Sequence, residues 1–329
     1  MAARKRRKNK KRFQKFIITL IIALIAALGA FIYSKVTEEP IQSVEGLMNV
    51  HFIDVGQGDA QLIVSPTGDT MLIDAGPGKS SDALLDYLDR AKIKKLDYVI
   101  FTHYDEDHIG GGDDVLKKIT NVEKILMPDY TPTTVAGKRL LEAIDKLDAE
   151  VIHPEQGYDF SLDGGVKIEV LSNDKIDDDG KNGDSIVTMI KFGATKFLLT
   201  GDATEKCEEE IINAYPSALD CDVLTACHHA SKYSNTDAFL SKTKPEHIVI
   251  SCGEDNKYGH PHKEALDRFY KVTNDIYCTA KTGDIVFTSD GTKVETKTEP
   301  IQKSDYAALP LEYFYIKEEP SDKKYLLAA

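Results

Sequence analysis

The segment FTHYDEDHIGGG, residues 101–112, concentrates side chains that can bind a cation or move a proton. Its candidate ligands are His103, Asp105, Asp107 and His108, at i, i+2, i+4 and i+5. Neighbours on one helix face fall three or four residues apart, so this spacing predicts a loop that wraps around its ligand. Crowded carboxylates repel one another unless a cation neutralises them. The residue types therefore favour a metal site, with an exposed acidic turn as the alternative.

Two further apolar runs and one predicted helix start carry groups of the same kind. KFLLTGDA delivers Asp202, and DVLTACHHAS delivers His228 and His229. Adjacent imidazoles at a strand end need partners, so one is predicted to bind metal and its neighbour to support it or contact substrate. YGHPHKEAL adds His260 and His262 at the helix start. A simple turn at Asp202 and an ordinary helix-capping loop at YGHPH remain the alternatives.

Short apolar runs must position these side chains, and they alternate with segments of helical periodicity. Strands are predicted at NVHFIDVG, QLIVS, MLIDAG, LDYVIFT, VKIEVL, DVLTACHH, EHIVISCG, DIYCTA and DIVFTSDG, with a hairpin in SIVTMIKFGATKFLLTGDA. Helices are predicted at SDALLDYLDRAKI, TEKCEEEIINAY and HKEALDRFYKV. Two similar halves of this kind indicate an α/β fold in which two sheets pack together with helices outside.

The N-terminus has the pattern of a membrane anchor. Residues 17–33 contain no charge, and a helix of that length would span roughly 26 Å. The basic residues ahead of it, in residues 1–16, are predicted to stay in the cytoplasm and to place the rest of the chain outside. We therefore predict a single-pass protein of the cell membrane with an extracellular domain. A cleaved signal peptide is the alternative, although residues 27–29 form a poor cleavage site.

Composition limits the classes of function. Nine of the 41 basic residues lie in the first sixteen positions, which leaves 32 basic against 54 acidic residues in the remainder. So acidic a body is not typical of a general nucleic-acid binder, because phosphates are normally met by Lys and Arg. The five cysteines show no C-x-x-C pair and are predicted to be buried small hydrophobes.

Together, DVGQGDA, THYDEDHIGG, TGD, HHAS and YGHPH resemble the metallo-β-lactamase superfamily, in the branch of the hydrolase domain found at the C-terminal end of the competence protein ComEC. The resemblance covers roughly residues 49–294 and implies a four-layer αββα sandwich with metals at one edge, between the sheets. The resulting domain prediction is a basic segment 1–16, an anchor 17–33, a linker 34–47, a hydrolase domain 48–295 and a C-terminal tail 296–329.

The resemblance also implies roles for particular residues, with Asp202 between two cations and Asp74 orienting the ligand loop. The predicted metal ligands are His103, Asp105, Asp107, His108, Asp202 and His228. The predicted catalytic residues are Asp107, His229 and His262. The predicted substrate contacts are Ser231, His260 and His262, and the predicted supporting residues are Asp59, Asp74 and Asp184.

The sequence departs from the wider superfamily at two ligand positions. Asp105 replaces the usual second histidine, and the usual third histidine is absent from the KNGDS segment before the hairpin. Both changes make the site richer in oxygen and weaken its first metal position. Oxygen ligands shift preference from zinc towards manganese or magnesium. We predict one or two divalent ions, with manganese, zinc and magnesium as candidates.

These features predict a metal-dependent hydrolase that uses metal-activated water. The ComEC resemblance, with its link to DNA uptake and competence, points to single-stranded DNA as substrate, whereas the acidic body points to a smaller phosphodiester. A hydrolase of a small ester, lactone or phosphocholine substrate is one alternative. A non-catalytic surface module stabilised by metal is the other. Beyond the membrane and the substrate, the sequence predicts no protein partner.

Overall fold

The computed structural model describes residues 17, 19–21, 23, 44–172, 185–254 and 256–304. The chain divides into two units, Met1–Gln42 and Ser43–Ala329, and the second contains both sheets. Within the described residues, no helix is both long and apolar enough to cross a membrane. The predicted anchor is described at only five of its positions and stays a prediction.

The first sheet has eight strands, which come from both ends of the domain. They are β1 (Met48–Phe52), β2 (Gln61–Val64), β3 (Thr70–Ile73), β4 (Leu96–Ile100), β5 (Val122–Leu126), β6 (Glu150–Ile152), β14 (Ile285–Ser289) and β15 (Val294–Thr296). Their spatial order is β15-β14-β1-β2-β3-β4-β5-β6. Neighbours are antiparallel from β15 to β3 and parallel from β3 to β6.

The second sheet has seven strands and, like the first, consists of a parallel part and an antiparallel part. They are β7 (Asp159–Leu162), β8 (Val166–Val170), β9 (Thr188–Phe192), β10 (Thr195–Leu199), β11 (Val223–Thr225), β12 (His247–Ile250) and β13 (Asp275–Cys278). Their order is β13-β12-β11-β10-β9-β8-β7, parallel from β13 to β10 and antiparallel from there to β7. The predicted hairpin is therefore confirmed as β9 and β10.

The helices lie on the outer faces of the two sheets. They are α1 (Ser81–Arg90), α2 (Glu106–Ile109), α3 (Gly112–Lys118), α4 (Val135–Ile144), α5 (Glu205–Ala214), α6 (Asp237–Thr243), α7 (Lys263–Phe269) and α8 (Thr279–Thr282). Ile211, Phe239 and Phe269 carry α5, α6 and α7 into one core with the second sheet. All five cysteines are buried, as predicted.

A separate apolar core lies between the sheets, where alternate residues of β3 and β4 meet residues of β8 and β10. Successive side chains of a strand point to opposite faces. Leu72 and Val99 therefore point away from this core, yet both are fully buried, as are Leu84 of α1 and Leu140 of α4. Helices must cover that face too, which gives the predicted order of helix, sheet, sheet and helix.

Several local features differ from the sequence predictions, among them β5, β6, β7 and α3, which were not expected. The strand predicted through DVLTACHH ends at Thr225, and CHHA forms a turn in which His228, His229 and Ala230 have positive φ. The helix α4 was not expected; the Thr134 hydroxyl caps it by accepting a hydrogen bond from Gly137 N. The start of the predicted tail packs on the domain, because β15 runs to Thr296 and the buried Ile301 donates its N–H to the Ile276 carbonyl. Residues 305–329 of that tail lie outside the described residues.

Candidate metal centre

The candidate site lies where parallel strands of both sheets end. β3 and β4 are parallel; Asp74 follows the first and segment 101–112 follows the second. β10 and β11 are also parallel, with Asp202 after the first and His228 and His229 after the second. Carboxyl ends of parallel strands meet at one edge of a sheet, where ligands commonly bind.

Asp74 organises the ligand loop from beneath. Its backbone is left-handed, with φ of 58°, and its side chain is fully buried. Oδ1 accepts a hydrogen bond from Thr102 N at 2.8 Å, and Oδ2 accepts one from Thr102 Oγ1 at 2.7 Å. Oδ2 also lies 2.7 Å from His108 Nδ1. Because a carboxylate only accepts, we assign the proton of His108 to Nδ1, which leaves Nε2 to face the cluster.

Thr102 links the Asp74 carboxylate to His103 by hydrogen bonds. Since its hydroxyl donates to Asp74, its oxygen accepts from His103 Nδ1 at 3.0 Å. Ser185 Oγ lies 3.4 Å from that nitrogen and accepts a hydrogen bond from Asp202 N. His103 Nε2 is thereby directed towards Asp202 Oδ2, at 3.8 Å. Burial, together with the charge of His108, lowers the pKa of His103 to about 4, so its imidazole is neutral near pH 7.

The Asp202 carboxylate lies at the centre of four imidazoles. Its Oδ1 is 3.1 Å from His108 Nε2 and 3.5 Å from His229 Nε2. Its Oδ2 is 3.4 Å from His228 Nε2 and 3.8 Å from His103 Nε2. Burial alone would raise its pKa, but the surrounding imidazoles outweigh burial and hold the pKa well below its usual range. The two oxygens therefore face different pairs of imidazoles, as a carboxylate between two cations would.

The adjacent histidines of the CHHA turn have different environments. His228 and His229 have left-handed backbones, with φ of 50° and 53°. His229 is 1% exposed; its Nδ1 donates to the Ser251 carbonyl at 2.8 Å, so Nε2 is free to bind and lies 3.4 Å from Asp107 Oδ2. The His228 side chain is 33% exposed. His229 belongs to two of the candidate ligand groups described below and the predicted ligand His228 to none, although His228 Nε2 also lies 3.4 Å from Asp202 Oδ2; the division of roles between them stays a prediction.

Three groups of side chains can each hold a cation within the described residues. They are His103, His108 and Asp202; Asp107, His108 and His229; and Asp59, Asp202 and His229. The Nε2 atoms of His103, His108 and His229 are buried and make no hydrogen bond there. A buried imidazole nitrogen without a hydrogen bond is costly unless a ligand meets it, so these residues fit a divalent metal.

Protons occupy part of this cluster in the absence of a cation. Burial lowers the pKa of His108, but Asp202 and Asp74 outweigh burial and raise it well above 6.5. The same balance, set by burial, Asp202 and Asp107, raises the pKa of His229 to about 9. The pKa of Asp107 is lowered because the imidazoles of His229 and His108 outweigh its burial. Cation binding must displace these protons.

Asp59 was predicted to support the site, but the structure brings it among the ligands. Its side chain is 4% exposed and belongs to the group with Asp202 and His229. Its N–H donates to the Asp107 carbonyl at 3.1 Å, and Gly58 before it has φ of 149°. A Cβ at Gly58 would lie 2.3 Å from that carbonyl oxygen. The glycine ahead of Asp59 was thus the sequence signal for this close approach.

Other predicted ligand and support positions fall outside these groups. Asp105 is the N-cap of α2, and its carbonyl accepts hydrogen bonds from His108 N and Ile109 N. Its carboxylate belongs to none of the three groups found within the described residues. Asp184 lies outside the described residues. Ser185, which we did not predict as a site residue, contacts both His103 and Asp202.

The predicted substrate contacts lie around the exposed side of the histidines. The His260 ring centroid is 5.7 Å from that of His228 and 5.9 Å from that of His229. His262 Nδ1 accepts a hydrogen bond from Lys232 N at 3.1 Å, which assigns its proton to Nε2. Ser231 is buried, and its hydroxyl accepts from Tyr233 N within the turn. Substrate contact by these residues stays a prediction.

Comparison with known proteins gives consistent results. A family profile described as the metallo-beta-lactamase superfamily matches residues 53–254. ComE operon protein 3 of Bacillus subtilis is 28% identical over 85% of this chain and 37% of its own length. Recombination protein 2 of Haemophilus influenzae is 31% identical over 72% of this chain and 28% of its own length. These relatives are ComEC-type competence proteins, and the chain spans about a third of their length.

Solved structures include similar folds of low sequence identity. A crystal structure of a metal-dependent hydrolase of the beta-lactamase superfamily aligns with a TM-score of 0.47 and 15% identity. The alignment covers 70% of this chain and 94% of that one.

Proposed function

The chain belongs to the metallo-β-lactamase superfamily, whose members are generally metal-dependent hydrolases, and from this premise we propose that it hydrolyses phosphodiester bonds. The observation that carries the proposal is the position of Asp202. Each of its carboxylate oxygens faces two imidazoles, so the cluster suits two cations held side by side. Paired cations are a common arrangement in enzymes that cleave phosphate esters.

The proposed ligands divide between two positions that share Asp202. His103 would hold the first cation, and Asp107 with His229 would hold the second. His108 Nε2 lies near Asp202 Oδ1 and fits a group at either position, but a single imidazole nitrogen would bind only one of the two cations. Bound cations would lower the pKa of a coordinated water and offset negative charge on the attacked phosphoryl oxygen.

His262 is proposed to act on the substrate rather than on the metal. Because its Nδ1 accepts from Lys232 N, its Nε2–H can donate to an oxygen of the leaving group. Burial, and then the charge of Lys232, lower its pKa below the usual value, so the neutral imidazole predominates near pH 7. His260, between His262 and the paired histidines, is proposed as a further substrate contact.

The relatives and the composition favour different sizes of substrate. The names of the relatives concern competence and recombination, which supports a DNA strand as the substrate. The acidic remainder of the chain supports a smaller phosphodiester instead, with a small ester, lactone or phosphocholine compound as the alternative class. Of these classes we propose phosphodiester hydrolysis, with single-stranded DNA as a candidate substrate.

Turnover by the purified 329-residue chain with manganese tests this proposal. The substrates are bis-p-nitrophenyl phosphate, single-stranded DNA and a p-nitrophenyl ester, each with and without EDTA. Metal-dependent cleavage of either phosphodiester supports the proposal. Cleavage of the ester alone would indicate the alternative class of small-ester hydrolase. Absence of metal-dependent turnover on all three substrates would indicate a non-catalytic module stabilised by metal.

We also propose that residues 17–33 anchor the chain and place the domain outside the cell. The basic residues of segment 1–16 support this orientation, because positive charges near a span tend to stay in the cytoplasm. Protease added to intact protoplasts should remove the domain. Full protection of the domain would contradict this orientation.

A further inference from the structure

Two Lys–Tyr dipeptides flank the histidines of the candidate site. Lys232-Tyr233 directly follows HHAS, and Lys257-Tyr258 directly precedes GHPH. Among the described aromatic side chains, Tyr233 and Tyr258 are the two that are largely exposed, at 68% and 47%. Isolated exposed apolar groups are common on proteins. Two exposed rings of the same type, on adjacent loops of one site, indicate a binding surface.

Each tyrosine ring carries a cation above it. Lys232 Nζ lies 5.0 Å from the centroid of the Tyr233 ring, and Lys257 Nζ lies 4.9 Å from that of Tyr258. Both lysines are exposed. Each dipeptide therefore offers a flat aromatic face beside a positive charge, in a chain whose remaining charge is strongly acidic.

Hydrogen bonds join the two loops and fix their spacing. Lys232 N donates to His262 Nδ1 at 3.1 Å, and His262 N donates to the Ala230 carbonyl at 3.0 Å. Arg268 of α7 donates from Nη2 to the carbonyl of Lys232 at 3.1 Å. The first loop is thus held against the second by one main-chain hydrogen bond and by the His262 side chain, which reduces the entropy lost when a ligand orders the surface.

The second loop is braced by Asn256 and leads into the metal centre. Asn256 Oδ1 accepts hydrogen bonds from Tyr258 N at 3.2 Å and His260 N at 2.9 Å. The Tyr258 ring stacks on His260, with centroids 5.7 Å apart and planes 20° apart. The His260 ring is in turn 5.7 Å from His228, beside Asp202. A row of ring contacts therefore runs from His228 through His260 to Tyr258, whose side chain is about half exposed.

A buried polar atom in this row also points to a ligand. His260 is 9% exposed, and within the described residues its buried Nδ1 makes no hydrogen bond. A buried imidazole nitrogen without a hydrogen bond is costly unless a partner meets it, and the described residues supply none.

We infer that the two Lys–Tyr dipeptides form a subsite for single-stranded nucleic acid, in which Tyr233 and Tyr258 stack on bases and Lys232 and Lys257 contact backbone phosphates. Exposed aromatic faces with adjacent cations bind splayed bases, whereas the bases of a duplex are already stacked on one another. Local cations would explain how so acidic a chain could bind a polyanion. This inference rests on the proposed phosphodiesterase function and names its substrate class.

Direct binding tests the inference without requiring turnover. The chain, in EDTA, is titrated against a fluorescent oligothymidylate and a duplex of equal length, and anisotropy is recorded. We expect tighter binding to the single strand. Tyr233→Ala and Tyr258→Ala should each raise the Kd for the single strand by about tenfold, as expected for loss of one base–aromatic stack. Tyr233→Phe and Tyr258→Phe, which keep the ring, should bind almost as tightly as the parent.

Lysine variants test the proposed contacts between the two lysines and the backbone phosphates. Lys232→Met and Lys257→Met should weaken binding and reduce its dependence on salt concentration. Lys303→Met is the matched control, since Lys303 also lies over a tyrosine ring, that of Tyr270 at 5.3 Å, but belongs to neither loop. The inference would be overturned if the tyrosine-to-alanine variants bound the single strand as tightly as the parent. It would also be overturned if Lys303→Met lost as much affinity as the other lysine variants, or if the chain preferred the duplex.

Kinetics separate failure of this inference from failure of the proposed function. In manganese, the ratio of kcat/KM for the oligonucleotide to that for bis-p-nitrophenyl phosphate should fall by about tenfold in the tyrosine-to-alanine variants. A chain that binds single strands through these residues but cleaves no phosphodiester keeps the inference and refutes the proposed activity. A chain that cleaves bis-p-nitrophenyl phosphate but does not bind single strands refutes the inference alone.

Discussion

Asp74 Oδ2 and His108 Nδ1 lie 2.7 Å apart, and this contact decides which imidazole nitrogen faces the candidate cations. The same carboxylate binds the main chain and hydroxyl of Thr102, whose oxygen accepts from His103. One buried acid therefore orients two ligands from beneath the site. Such partners of ligating histidines commonly affect metal affinity almost as strongly as the ligands do.

Asp74→Asn should weaken metal binding while the fold remains. The amide keeps one acceptor oxygen but turns an NH₂ group towards donors of Thr102 or His108. We expect the Kd for manganese to rise about 10- to 100-fold, as for other partners of ligating histidines. Competition with a chromogenic chelator measures this change. Asp82→Asn, at an exposed acid in the first turn of α1, is the control, and an equal effect of both changes would contradict the assigned role.

Asp202→Ala should remove nearly all turnover and lower the number of bound cations. The carboxylate is the group that faces all four imidazoles, so its loss removes the bridge between the two positions. Asp107→Ala should have a similar effect on turnover through the second position alone. Metal analysis beside kinetics on bis-p-nitrophenyl phosphate tests both, with circular dichroism to show that the fold survives. Full activity of Asp202→Ala would refute the assignment.

His262→Ala should lower turnover but leave metal content unchanged. Its proposed contact is a hydrogen bond from Nε2–H to the leaving-group oxygen, and loss of one such donor to a transition state typically lowers turnover about 10²- to 10³-fold. The control is His153→Ala, because His153 is exposed and its Nδ1 donates to the Met127 carbonyl, outside the candidate ligand groups. Loss of metal from the His262 variant would show that it supports the ligands instead.

Manganese should restore activity of the chelated chain better than zinc does. Asp59, Asp107 and Asp202 supply carboxylates to the candidate ligand groups, and oxygen ligands favour manganese or magnesium over zinc. Reactivation across a series of metal concentrations measures the preference. Full recovery with zinc, and none with manganese, would contradict this expectation.

The stabilisation produced by manganese should increase with pH. The pKa of His229 in the folded, metal-free chain is about 9, against 6.5 for an unperturbed histidine. The bound proton therefore stabilises the fold fully below 6.5, and this stabilisation is lost as the pH rises through 9. As the pH rises, fewer protons compete with the cation for the His229 nitrogen, so the cation binds more tightly. Thermal unfolding at about pH 6 and about pH 9 should show a larger manganese-induced rise in Tm at the higher pH; equal rises would refute the linkage.

The sequence predicted the layers of the fold and the loop at residues 101–112, because both depend on local patterns. Apolar alternation located the strands, and the ligand spacing identified a loop. It could not decide how His228 and His229 divide their roles, because a strand was predicted through CHHA where the structure has a turn. The left-handed turn that carries them contains no glycine to announce it. Asp59 was predicted only as a supporting residue, because its place in a candidate ligand group depends on the approach of its loop to Asp107, a contact between residues far apart in sequence.

The turn that presents His229 contains three successive non-glycine residues with left-handed backbones, His228, His229 and Ala230. A left-handed backbone costs an L-residue roughly 1–2 kcal/mol, so the native fold holds local strain at the ligand. Sequence changes that relax this turn would make the protein harder to unfold while releasing the histidine from its fixed direction. Stability and the positioning of a candidate ligand would thus select in opposite directions at this turn, a trade-off common at functional sites.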